Sequence, residues 1–151
     1  MKKHITLIFI LFVTFSFAQK KEIRKATKLF NAGDVQGAAD LLQSSASLFE
    51  ASDPKTLNKK TYLEAQIDQK NKNFSAAYEK FTAFKAADGI NANYDTQVQL
   101  LTSDIVNSAI EDNAEKRFSE AAVKLYLAYQ INPEVNKDYL YYAASSVVNA
   151  N

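Results

Sequence analysis

FSEAAVKLYLAYQINP, residues 118–133, decides the fold class. Phe118, Ala121, Leu125 and Ala128 follow one another at steps of three, four and three, which places them on one face of a helix. Asn132-Pro133 ends that helix, because proline disfavours the helical conformation of the residue before it. The same spacing occurs at Val35, Ala38 and Leu42, and again at Phe74, Ala77 and Phe81. Twelve residues before each central alanine stand Ala26, Ala65 and Ala109. Small side chains there let two helices approach closely, so each pair of alanines marks a contact between consecutive helices. The rest of the chain is rich in Ala, Leu, Lys, Glu and Gln, which favour helix. Asn31-Ala32-Gly33-Asp34 and Asp88-Gly89 read as turns, and Ser52-Asp53-Pro54 as a cap followed by a first helical turn. Helices are expected near 20–32, 35–50, 55–71, 74–87, 93–115, 118–131 and 136–150.

A helix, a tight turn and a second helix, repeated, resembles the tetratricopeptide repeat. Units of that family have 34 residues, with a small residue in the first helix and Ala twelve positions later. An aromatic precedes that Ala by three, a large apolar residue follows by four, and Pro follows by twelve. Ala109, Phe118, Ala121, Leu125, Ala128 and Pro133 fit best. The other units are Ala26 with Ala38 and Leu42, and Ala65 with Ala77 and Phe81. The resemblance covers roughly 20–151 and implies an all-α, α–α superhelix of about three antiparallel helix pairs plus an extra carboxy-terminal helix. The pattern also departs from the family. Equivalent alanines are 77 − 38 = 39 and 121 − 77 = 44 residues apart. The extra residues are expected in connections around 46–58 and 86–96. Asp68 and Asp112 stand where the family has an aromatic. A plain helical bundle remains the rival, since amphipathic helices alone generate Ala and Leu at these spacings.

The amino terminus suggests a compartment. Met1-Lys2-Lys3-His4 is basic, residues 5–17 (ITLIFILFVTFSF) carry no charge, and Ser16-Phe17-Ala18 is small-x-small. This is the tripartite pattern of a secretory signal, and the apolar run falls short of the ~20 residues a membrane-spanning helix needs. Residues 1–18 are therefore expected to be a signal peptide and 19–151 the helical repeat domain; an uncleaved anchor is the alternative. Export implies a bacterial periplasmic or extracellular protein with no stable membrane anchoring after cleavage. Removing 18 of 151 residues leaves 133, lowers the basic count from 18 to 16 against 17 acidic residues, and moves the net charge from +1 to −1. The remainder has no His, Cys, Trp or Met. That excludes a His general base, a Cys nucleophile, disulfides and a Cys/His zinc site. Near-neutral charge gives no global pull toward nucleic acid or an anionic membrane.

Carboxylates, Lys and Tyr are the groups left for chemistry. Glu111, Asp112 and Glu115, and likewise Glu64 and Asp68, line up on helices, yet they lie among Lys, Asn and Gln and read as solvated faces. No catalytic residue, metal ligand or cofactor is expected. Lys20, Lys21, Arg24, Lys25 and Lys28 crowd one helix, and a polybasic helix can touch an anionic membrane or polymer; they read rather as the solvated outer face of a helix whose inner face is Ile23, Ala26, Leu29 and Phe30.

These features describe a non-catalytic scaffold that mediates contact with a protein or peptide. The resemblance places ligands in a concave groove lined by first helices. It implies Thr27 and Asn31 in unit one, Tyr62, Gln66, Gln69 and Lys70 in unit two, and Ile110 and Asn113 in unit three. The last helix is rich in Tyr139, Tyr141, Tyr142, Val147 and Val148, with Ala144 in the small-residue position. It resembles the first half of a further unit, so the chain is expected to be an amino-terminal portion of a longer array, or to meet a partner there. The alternative function is a structural subunit that self-associates through this helix.

Overall fold

The computed structural model describes residues 2–85 and 94–150, with side chains from residue 17 onward except that of Lys85. The expected turn at Asp88-Gly89 and most of the 86–96 connection lie outside the described residues. All regular structure among the described residues is helical. The helices are α1 (Lys2–Asn31), α2 (Val35–Ser44), α3 (Pro54–Lys70), α4 (Phe74–Lys85), α5 (Tyr94–Ala114), α6 (Phe118–Ile131) and α7 (Lys137–Ala150). The chain divides into two compact units, up to Asn71 and from Lys72.

In the first unit α1 packs on α2, and α3 packs on both. Ala26 and Ala38 are fully buried, and with Leu42, Leu63 and Ile67 they form the core. Leu29, Phe30 and Val35 close over it. Two expectations change here. The helix expected from residue 20 starts at Lys2, so the backbone of the apolar run continues into α1. The helix expected over 35–50 stops at Ser44, and Ala46–Phe49 form a 3₁₀ turn. The Ser45 hydroxyl donates to the Leu41 carbonyl at 2.7 Å, a local bond that competes with continued helix. Gln19 ties this turn to α1: its side chain is 3% exposed, and Nε2 donates to the Leu48 carbonyl at 2.7 Å. Asp53 caps α3, accepting from the Thr56 amide at 3.0 Å and from its hydroxyl at 2.7 Å. Pro54 follows as the first helical residue, where its missing N–H costs nothing.

In the second unit α4 packs on α5, α5 on α6, and α6 on α7. Ala109 and Ala121 are fully buried and share a core with Leu125 and Ala143, against which Tyr139 packs. Ala143 is the facing residue of α7, and Ala144 is exposed. The expected register of α7 was therefore off by one residue. Ala143 lies 143 − 109 = 34 residues after Ala109, the repeat length of the family.

The turns repeat as closely as the alanines. Gly33, Lys72 and Lys116 adopt φ of 87°, 62° and 62°. Each stands five residues before its central alanine (38 − 33, 77 − 72, 121 − 116). In two of the turns the next amide reaches back five residues: Asp34 to the Leu29 carbonyl at 2.9 Å, Arg117 to the Asp112 carbonyl at 2.7 Å. This left-handed closure satisfies the last carbonyls of the preceding helix. The central alanines then open the following helices identically, with Ala38, Ala77 and Ala121 amides donating to the carbonyls of Asp34, Asn73 and Arg117 at 3.1, 3.0 and 3.0 Å.

Candidate functional site

The groove positions implied by the resemblance divide between the two units. On α1, Thr27 is half-buried with its hydroxyl donating to the Ile23 carbonyl at 2.8 Å, and Asn31 is exposed at the helix end. On α3, Tyr62, Gln66 and Gln69 are half-buried and Lys70 is exposed. Their spacing places these four on one side of the helix, and burial pushes the Tyr62 phenol above its ordinary pKa. On α5, Ile110 is 59% exposed. Asn113 is half-buried and accepts from the Ser146 hydroxyl at 3.1 Å, which ties α5 to α7.

A different groove, of about 750 Å³, lies within the second unit. It is lined by Tyr78 of α4, Tyr94 and Gln99 of α5, Asn132 and Asn136 beside the α6–α7 turn, and Tyr139 of α7. Asn136 is held by donating to the Ala128 carbonyl at 2.8 Å. Neither Ile110 nor Asn113 lines this groove. No periodic signal points to it, because its tyrosines and amides come from separate helices.

The carboxy-terminal residues separate into two faces of α7. Tyr139, Ala143 and Ser146 point inward: Ala143 and Ser146 are buried, and Tyr139 packs on the core. Leu140, Tyr141, Val147 and Val148 form an exposed stripe, Tyr141 and Val148 at 73% and 74%. Their positions, with Ala144 between them, repeat at helical spacing along one side. Tyr142, half exposed, meets Tyr141 edge to face at 5.9 Å between centroids. Tyr139 thus belongs to the core and the groove, and the outer stripe to its neighbours.

The carboxylates did not all stay on solvated faces. Glu111 pairs with Lys72 at 2.8 Å on the surface. Asp112 is 3% exposed, contrary to the solvated reading. Its carboxylate accepts from Arg117 Nε at 3.0 Å and Nη2 at 2.5 Å, and from Lys124 Nζ, which also donates to Ser108 at 2.9 Å. Desolvation raises the Asp112 pKa, but the hydrogen bonds and charges of Lys124 and Arg117 outweigh it, so the group lies below its ordinary value. Asp112 thus forms an ionic staple from α5 to α6. Among the described residues no three His, Cys, Asp or Glu side chains gather as a metal site, and no helix is long and apolar enough to cross a membrane.

Compared with known proteins, the chain matches no family model, no curated protein and no solved structure.

Proposed function

We propose that the chain is an exported, non-catalytic scaffold whose helix pairs stack in the manner of tetratricopeptide repeats and hold a protein partner. The observation that carries this reading is the outer stripe of α7. Leu140, Tyr141, Val147 and Val148 stand exposed together on a helix whose opposite side is already packed. A contiguous apolar face of that kind marks an interaction site on a soluble protein. The repeated left-handed turns at Gly33, Lys72 and Lys116 support the repeat reading. Export is supported by Gln19. A cut after Ala18 would leave as the new first residue one whose side chain is buried and bonded within the fold.

The second reading, a structural subunit that self-associates through α7, rests on the exposed Tyr141–Tyr142 pair. One experiment separates the readings: sedimentation and partner cross-linking of wild type, of Tyr141→Ser with Val148→Ser, and of Lys70→Glu. Loss of cross-linking in the α7 variant, with helicity unchanged, supports the scaffold. Loss of concentration-dependent sedimentation in that variant supports assembly. Loss on Lys70→Glu moves the contact to α3. If no variant changes either measurement, both readings fail.

A further inference from the structure

The geometry points to an anion site in the first unit: a cationic cleft between α1 and the start of α3 that takes a phosphoryl group, either a lipid headgroup at a membrane surface or a free phosphate. The cleft has a volume of about 330 Å³ and is lined by Lys20 and Arg24 of α1 and by Lys55 and Lys59 of α3, with Asp53 and Thr56 at its end. This inference stands independently of the scaffold reading.

Three observations carry it. The first is uncompensated charge. Elsewhere in this unit Lys25 is matched by Glu22 at 2.7 Å and Lys60 by Glu64 at 2.6 Å. None of Lys20, Arg24, Lys55 and Lys59 makes an ion pair among the described residues. Asp53 is the single carboxylate in the cleft, and both its oxygens accept from Thr56. Four cations against one carboxylate leave a local charge of +3 (4 − 1).

The second is the position of two of these cations. Lys55 stands in the first turn of α3 and Lys59 one turn later, behind the Asp53 cap. They add to the partial positive charge of that helix end, so the cleft holds more positive charge than the Asp53 carboxylate offsets.

The third is continuity. Lys20 and Arg24 also line a shallower depression along α1 with Lys21 and Lys28. Residues 20, 21, 24 and 28 recur at helical spacing, so cleft and depression form one cationic strip. All four follow the proposed cut after Ala18. Clustered basic side chains on one helix face suit the surface of an anionic bilayer.

The test uses the full chain at low ionic strength. Vesicles of phosphatidylcholine alone and mixed with phosphatidylglycerol are compared by co-sedimentation, and inorganic pyrophosphate is titrated separately by calorimetry. The ratio of binding to the two vesicles is the readout, because apolar contributions common to both vesicles cancel in it. Lys55→Gln with Lys59→Gln should lower that ratio about thirtyfold and abolish pyrophosphate binding. Asp53→Asn keeps a good capping side chain and should strengthen binding in both arms. A response of the vesicle ratio assigns the lipid headgroup; a response of pyrophosphate alone assigns a free phosphate. An unchanged ratio and unchanged pyrophosphate binding in all variants would overturn the inference, as would tighter binding to a short DNA duplex than to the phosphatidylglycerol vesicles.

Discussion

Ala121 is the residue on which the second unit turns. It is fully buried with Ala109, Leu125 and Ala143, at a helix contact where a methyl group fits and a larger side chain does not. Ala121→Leu should therefore destabilise the fold by ~1–3 kcal/mol through overpacking, measured by chemical denaturation. A wild-type midpoint would mean the contact is looser than its burial indicates. Lys116 tests the turn in the opposite direction. Its φ of 62° costs an L-residue roughly 1–2 kcal/mol, whereas glycine gives back about 0.4–1 kcal/mol in unfolded-chain entropy. Lys116→Gly should thus raise the melting temperature by the small difference. The corresponding change is already present in the first turn, where Gly33 holds φ of 87°.

At the scale of elements, α5 and α6 are joined by the Asp112 staple as well as by alanines. Asp112 titrates below its ordinary value of 3.8 because Lys124 and Arg117 overcome its desolvation. A depressed carboxylate stabilises the fold above its unfolded pKa and loses that contribution as pH falls through the folded value. Unfolding free energy should therefore decline more steeply in wild type than in Asp112→Asn below pH 3.8, with the two curves parallel near neutrality. Asp112→Ala should cost about 2 kcal/mol at neutral pH, below the 3–5 of a fully buried pair, because Arg117 and Lys124 retain 44% and 24% side-chain exposure. Parallel acid limbs would show that the staple contributes nothing.

At the scale of the whole molecule, the export reading makes a direct prediction. Intact-mass analysis of protein from its native host should show loss of residues 1–18, with Gln19 as the first residue. A full-length, membrane-embedded product would refute it. The packing of Gln19 against Leu48 gives the prediction a structural edge. A cut one residue later would remove a buried hydrogen bond, so a processing site displaced past Gln19 should lower stability.

Much of this architecture was legible in the chain because helix pairs leave short, periodic marks. The pairs Ala26–Ala38 and Ala109–Ala121, the turn at Gly33-Asp34, the Asp53 cap and the Asn132-Pro133 stop each depend on neighbours within a few turns, and these are found in place. What depended on a second element was not legible. Periodicity shows that α7 has an inner face, but adjacent Ala143 and Ala144 are equally small, and only the rotation of α7 against Ala109 and Ala121 selects Ala143. A carboxylate among polar residues reads as solvated until a lysine one helix away and an arginine across a turn close over it, as at Asp112. The cationic cleft follows the same logic. Lys20 and Arg24 are separated from Lys55 and Lys59 by the whole of α2, and only the packing of α3 on α1 gathers their charge in one place. Local spacing determined which residues form helices and which faces are buried. Packing between helices decided which charges meet, because electrostatic interaction depends on distance in space, which spacing along the chain does not specify.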